Sequence, residues 1–209
     1  MLQFHESSHT YTHGDTKLPS VSEVMKFAGL GANYAGISGD VMETARSRGV
    51  RLDAITEQID MGLDPSPDPD IAGYVMAYEK FVNETGFRAV ASQSPMWHPT
   101  RLYAGTPDRV GMLTGKLTML DLKTTSMVHR KSCAIQLDGA YSPMWDYHSK
   151  DRWIERNMVL HLKPEGKYTL VCVDHDLAQN VFLSAVEEFY GRQSGATNSV
   201  LNYWKMLNW

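Results

Sequence analysis

The chain predicts an α+β fold in which a central mixed β-sheet is flanked by helices, an α/β sandwich-like arrangement, and three observations carry this. Short strand-like runs separated by Pro and Gly turns crowd residues 87–122. Longer helical patterns precede them near 40–60 and 70–85, and another follows near 130–147. At 209 residues, with 43% hydrophobic and 21% charged, the chain has the composition of an ordinary globular protein and length for one substantial core. A single domain over residues 1–209 is expected, with an N-terminal hairpin and helices to about 86 and the sheet with its flanking helices after that.

Each element has a local cause. Residues 4–18 alternate as a hairpin, with Gly14-Asp15 supplying the turn. Ser20 and Glu23 are spaced as a capping box, which starts a helix that Gly29 stops. A Gly-rich linker over 29–39 leads into a helix from about Asp40 to Asp60, ended by Gly62. The loop Pro65-Ser-Pro-Asp-Pro-Asp70 follows, and Asp70 is placed to cap a helix running to about Thr85. Strands beginning at Phe87, Arg101, Asp108 and Lys116 then read as an antiparallel meander. After the helix at 130–147 come strands Trp153–Leu162 and Lys167–Val173, joined by Pro164-Glu-Gly166, and helices near 176–191 and 198–207.

Composition removes several function classes. No apolar run approaches the ~20 residues that span a bilayer, so no membrane partner is expected. The N-terminus lacks the basic and apolar regions of a signal peptide. Cys133 and Cys172 form no CxxC or four-cysteine set, which argues against structural zinc and iron–sulfur clusters and suits a reducing cytoplasm. With a net charge of −4 and a pI near 6.0, nucleic-acid binding would require a local basic groove.

The chemistry concentrates between Tyr103 and Thr124. Asp108 follows Pro107 at the head of one strand, and Asp121 and Lys123 lie near the end of the next. Residues two apart on a strand share a face, so Asp121 and Lys123 point the same way. Asp121 sits among apolar neighbours, and a buried carboxylate needs a counter-charge or a metal. A plain Asp121–Lys123 ion pair uses the same residues. Adding Asp108 brings two carboxylates together, which invites Mg2+. Thr114-Gly-Lys116 lacks the spacing of a phosphate loop and reads as a hairpin turn. His5, His9 and His13, four apart, read as hairpin histidines rather than a metal site.

Pro107-Asp108, twelve residues, then Asp121-Leu122-Lys123 resembles the signature of the PD-(D/E)XK nuclease superfamily. Ala104-Gly-Thr-Pro-Asp108 and Leu120-Asp-Leu-Lys-Thr-Thr125 are similar to its RecB-like branch of phage-type exonucleases. So are the N-terminal hairpin with Pro19-Ser-Val-Ser-Glu23, the pair Arg48-Gly49 with Glu57 and Asp60, and Gln136 on the following helix. The resemblance implies a PD-(D/E)XK core and a Mg2+-dependent deoxyribonuclease, Mn2+ substituting. Asp108, Asp121 and the Leu122 carbonyl would hold the metal, helped by Asp53, which stands where the branch carries a histidine. Lys123 would position the attacking water and Gln136 would orient water or a phosphate oxygen. Gln93 stands where a glutamate often precedes the Asp108 strand. The branch spaces a tyrosine four residues after its glutamine, whereas Tyr141 lies five after Gln136, which on an α-helix is about 140° around.

For DNA contact the candidates are Arg46, Arg48 and Arg51 on the long helix, and His129, Arg130 and Lys131 opening the helix of Gln136. Trp145, Trp153, Trp204 and Trp209 are candidates for base stacking or for packing. The expected function is exonuclease action on linear double-stranded DNA in phage-type recombination or DNA processing. The host cytoplasm, a homo-oligomer and a recombination partner protein belong to that expectation. An endonuclease, nickase or junction resolvase on the same core is one alternative. A catalytically inactive DNA-binding protein derived from that core is another.

Overall fold

The computed structural model describes residues 1–32 and 36–193. The helix expected near 198–207, with Trp204 and Trp209, lies outside the described residues, as do residues 33–35 of the Gly-rich linker. Strands β1 (Leu2–His5), β2 (Thr10–His13) and β3 (Thr16–Leu18) form a small antiparallel sheet, so the expected single hairpin is a pair of hairpins. Helix α1 (Val21–Phe27) starts at the reciprocal Ser20–Glu23 capping box, and α2 (Gly39–Asp60) starts at Ser38.

Helix α3 (Ala72–Thr85) departs from expectation at its start. Its first turn has no side-chain cap, because the Asp70 carboxylate is bonded to Arg51 instead. A charge-assisted bond to a guanidinium outcompetes a backbone cap.

The main sheet runs β10-β9-β8-β7-β4, from β4 (Arg88–Ser92), β7 (Arg109–Leu113), β8 (Lys116–Lys123), β9 (Arg156–Lys163) and β10 (Lys167–Cys172). Two further strands, β5 (Met96–His98) and β6 (Tyr103–Gly105), leave this sheet and pair with each other, and Ala104 of β6 also bridges to Ser20. The expected meander is thus interrupted, with Arg101 and Leu102 in a turn rather than a strand. Trp153 likewise precedes β9 rather than starting it, and is exposed. Thr114 and Gly115, both at positive φ, make the tight β7–β8 turn expected there.

β8 and β9 are parallel and need a crossover. It is supplied by one continuous helical stretch: α4 (Arg130–Ala134), a π-helical segment (Ile135–Tyr141) and α5 (Ser142–His148). The sheet is covered on both sides. One face packs Val110, Leu117, Met119 and Val159 against α1, the crossover helix and α6 (Ala178–Gln193). The other packs Leu113, Leu120, Leu122 and Leu160 against α2 and α3. This mixed, helix-flanked sheet is the arrangement that the resemblance to PD-(D/E)XK nucleases predicts. Among the described residues no helix is long and apolar enough to cross a membrane.

Candidate active site

The alternation of β8 builds the site. Leu117 and Met119 are buried against the crossover helix, and the same strand face continues as Asp121 and Lys123. Asp121 is 2% exposed. Its Oδ1 accepts a hydrogen bond from Lys123 Nζ at 3.0 Å. Its Oδ2 lies 2.8 Å from the same ammonium yet has no hydrogen-bond donor of good geometry. That leaves a buried carboxylate oxygen only partly satisfied, which is costly unless something else binds it.

Asp108 sits at the head of β7, beside β8. Its Oδ2 accepts from the Leu122 backbone N–H at 2.8 Å, which ties the carboxylate to the residue between Asp121 and Lys123. Gln93, in the left-handed region at φ 44°, donates from Nε2 to Asp108 Oδ1 at 3.4 Å and from its backbone N–H to the Asp108 carbonyl at 3.0 Å. Gln93 therefore belongs to the site as a partner of Asp108.

Asp53 reaches the same neighbourhood from α2. Burial, followed by the nearby Asp108 carboxylate, pushes its carboxyl up to about 8. Burial also raises Asp121, but Lys123 opposes this, and the carboxyl settles at about 6. Burial works against the Lys123 ammonium, yet Asp121 and Asp108 more than offset it, so its proton is held above the usual lysine range. The three aspartates thus feel one another electrostatically. Among the described residues, however, no group of three or more His, Cys, Asp or Glu side chains is arranged to hold a metal ion. Asp53 is close to the Asp108–Asp121 pair without forming a ready third ligand with it.

Gln136 and Tyr141 are where the structure changes the reading most. The segment between them is π-helical, with hydrogen bonds from i to i+5, so residues five apart share a face. The 140° separation expected from α-helical geometry does not arise. Gln136 Nε2 donates to Tyr141 Oη at 3.4 Å. The Tyr141 phenol is raised by burial, and the Asp108 and Asp121 carboxylates push it further in that direction. Gly105, the last residue of β6, makes room for this ring: a Cβ there would lie 2.6 Å from Tyr141 Cε1.

A cavity of about 680 Å3 opens beside Lys123, lined by Met25, Met42, Met127, His129 and Gln136 among others. The expected DNA-contacting residues are unequal. Arg48 is half-buried, donates from Nε to Thr124 Oγ1 at 3.2 Å and stacks over Tyr74, so it ties α2 to the end of β8. Arg51 is paired with Asp68 and Asp70, so a phosphate reaching it would have to displace both carboxylates. Arg46, Arg130 and Lys131 are exposed, and Arg130 also donates to the Cys172 carbonyl. Of the hairpin histidines, His13 stacks on Trp97 and His5 bonds Thr12.

Arg109 has no place among the residues expected at the site, yet it is fully buried directly after Asp108 and paired with Asp60. A charged residue opening a strand otherwise apolar (Arg109-Val-Gly-Met-Leu113) was the available signal.

No protein-family model matches the chain, and no match is found among curated proteins. Among solved structures, the chain is similar to an alkaline exonuclease from Laribacter hongkongensis, at 12% identity over 90% of this chain and 91% of that one, with a TM-score of 0.45. It is also similar to a candidate exonuclease from Eubacterium rectale, at 13% identity over 87% and 83% of the two chains, with a TM-score of 0.49. Identities this low assign none of this chain's residues a role.

Proposed function

We propose that this protein is a metal-dependent deoxyribonuclease acting as an exonuclease on linear DNA. The observation that carries the reading is the meeting of Asp108 and Asp121 at the ends of adjacent strands, with a partly satisfied buried oxygen on Asp121 and Lys123 against it. Two carboxylates present hard oxygen donors, which suit Mg2+, with Mn2+ as substitute. Asp108, Asp121 and the Leu122 carbonyl would hold the ion, and Asp53 would join by turning toward them. When bound, such an ion supplies positive charge to the scissile phosphate and lowers the pKa of water.

The remaining roles belong to the chain itself. Lys123, held charged by its two carboxylates, places a proton-rich cation where it orients a water or a phosphate oxygen and offsets charge developing in the transition state. Gln136 offers its amide to the same space, oriented by Tyr141. The cavity beside Lys123 gives a nucleotide room, its volume falling in the range of small-ligand sites.

The test uses linear and covalently closed duplex DNA, each with Mg2+ or EDTA, beside Asp121→Ala and Lys123→Ala variants. Mg2+-dependent loss of linear DNA alone, abolished in both variants, supports the exonuclease. Nicking of closed circles replaces it with an endonuclease. Absence of cleavage with either Mg2+ or Mn2+ overturns the catalytic reading.

A further inference from the structure

We propose that Arg109 is a positioning residue whose guanidinium sets the spacing between α2 and β7, and so between the Asp53 and Asp108 carboxylates. The inference rests on the metal-dependent reading above. Arg109 is 0% exposed and touches neither the cavity nor solvent. Its donors reach four acceptors on two elements. Nε donates to Asp60 Oδ2, and Nη1 donates to the Asp108 carbonyl at 2.7 Å. Nη2 donates to Thr56 Oγ1 at 2.7 Å and to the Asp53 carbonyl at 3.2 Å.

An ion pair with Asp60 alone would need none of the other contacts. The guanidinium instead bonds the main-chain carbonyls of the two residues whose side chains approach the Asp121 end of the site from opposite elements. A guanidinium is planar and rigid, so bonds from its separate nitrogens fix distances as well as attractions. Asp60 is itself held, accepting from Tyr78 Oη at 2.6 Å and Ser92 Oγ at 3.3 Å, which anchors the assembly to α3 and β4. Thr56 is fully buried and also donates back to the Leu52 carbonyl, fixing the turn of α2 that carries Asp53. The result is a rigid strut behind the site, reaching the reacting groups only through Asp53 and Asp108.

Two variants test it. Arg109→Lys keeps a cation for Asp60 but cannot hold both carbonyls. Thr56→Val removes one anchor of Nη2 with little change in volume. Mg2+ binding is measured by calorimetry without DNA, Mg2+ dependence by cleavage of linear duplex, and folding by thermal unfolding in EDTA. The expected result is Mg2+ affinity weaker by about 10-fold or more in Arg109→Lys, in the range found when groups supporting metal ligands are lost. Thr56→Val should show a smaller loss in the same direction, with the Mg2+ midpoint for cleavage moving in parallel. Should Arg109→Lys fail to fold, Thr56→Val decides. Folded variants that bind Mg2+ as the wild type does overturn the positioning role alone. A wild type that neither binds Mg2+ nor cuts DNA overturns the underlying reading and the proposal with it.

Discussion

Two buried carboxylate–cation pairs lie close together in this protein and are built to opposite standards. Asp60–Arg109 is closed: the carboxylate has Arg109, Tyr78 and Ser92, and the guanidinium bonds four acceptors. Asp121–Lys123 is open: one carboxylate oxygen lacks a proper donor, and the lysine side chain is 30% exposed. A buried ion pair is stabilising only when its remaining hydrogen-bond capacity is met. The closed pair is complete in itself and the open one leaves an oxygen able to take a further partner, although sequence alone would rank an Asp–Arg and an Asp–Lys pair alike.

The comparison breaks most visibly at Asp121. Asp121→Asn keeps the shape but removes the charge, and cleavage of linear DNA should fall by about 10³-fold, the rate equivalent of several kcal/mol of metal-assisted stabilisation. Thermal stability should hold or rise, since a poorly satisfied buried charge is lost. Asp60→Ala should do the reverse in kind, costing about 3–5 kcal/mol in denaturant unfolding because Arg109 is left buried without its counter-charge. Equal effects of the two substitutions on stability would dissolve the distinction.

A pH series sharpens it further. Asp53 is raised from an ordinary carboxylate value to about 8, so between pH ~4 and ~8 the folded state keeps a proton that the unfolded state has released. Folded stability in EDTA should therefore fall as pH rises through that window, and Asp53→Asn should flatten the slope. Mg2+ prefers the ionised carboxyls, so its stabilising shift in melting temperature should be larger at pH 8 than at pH 5. The smallest expected effects are at the rim. Gly105→Ala forces the Tyr141 ring to move and should lower the turnover rate by roughly tenfold, in line with misplacement of a positioning group. Arg51→Ala should change DNA affinity less than twofold, because Asp68 and Asp70 already neutralise that charge.

What was legible in the sequence followed from rules that hold locally. The two-residue period of a strand places Asp121 and Lys123 on one face, and the capping box at Ser20 starts α1 as the spacing predicts. What was not legible depends on competition between distant groups. Asp70 is a good helix cap until Arg51, nineteen residues away, takes its carboxylate. Arg109 looks like an exposed strand residue until Asp60 and two carbonyls surround it. The β5–β6 ribbon leaves the sheet for the N-terminal region, where Trp97 and Ala104 meet Tyr11 and Leu18, a packing choice that alternation cannot reveal.

The π-helical segment of the crossover has a consequence for how such chains are recognised. A helix that accommodates one more residue between Gln136 and Tyr141 keeps both side chains on one face while altering the interval between them. Any pattern that counts a fixed gap from glutamine to tyrosine passes over this chain, although the two groups still meet in space. Interval and neighbourhood are separate properties of a polypeptide, and a single inserted residue can change the first while the backbone preserves the second.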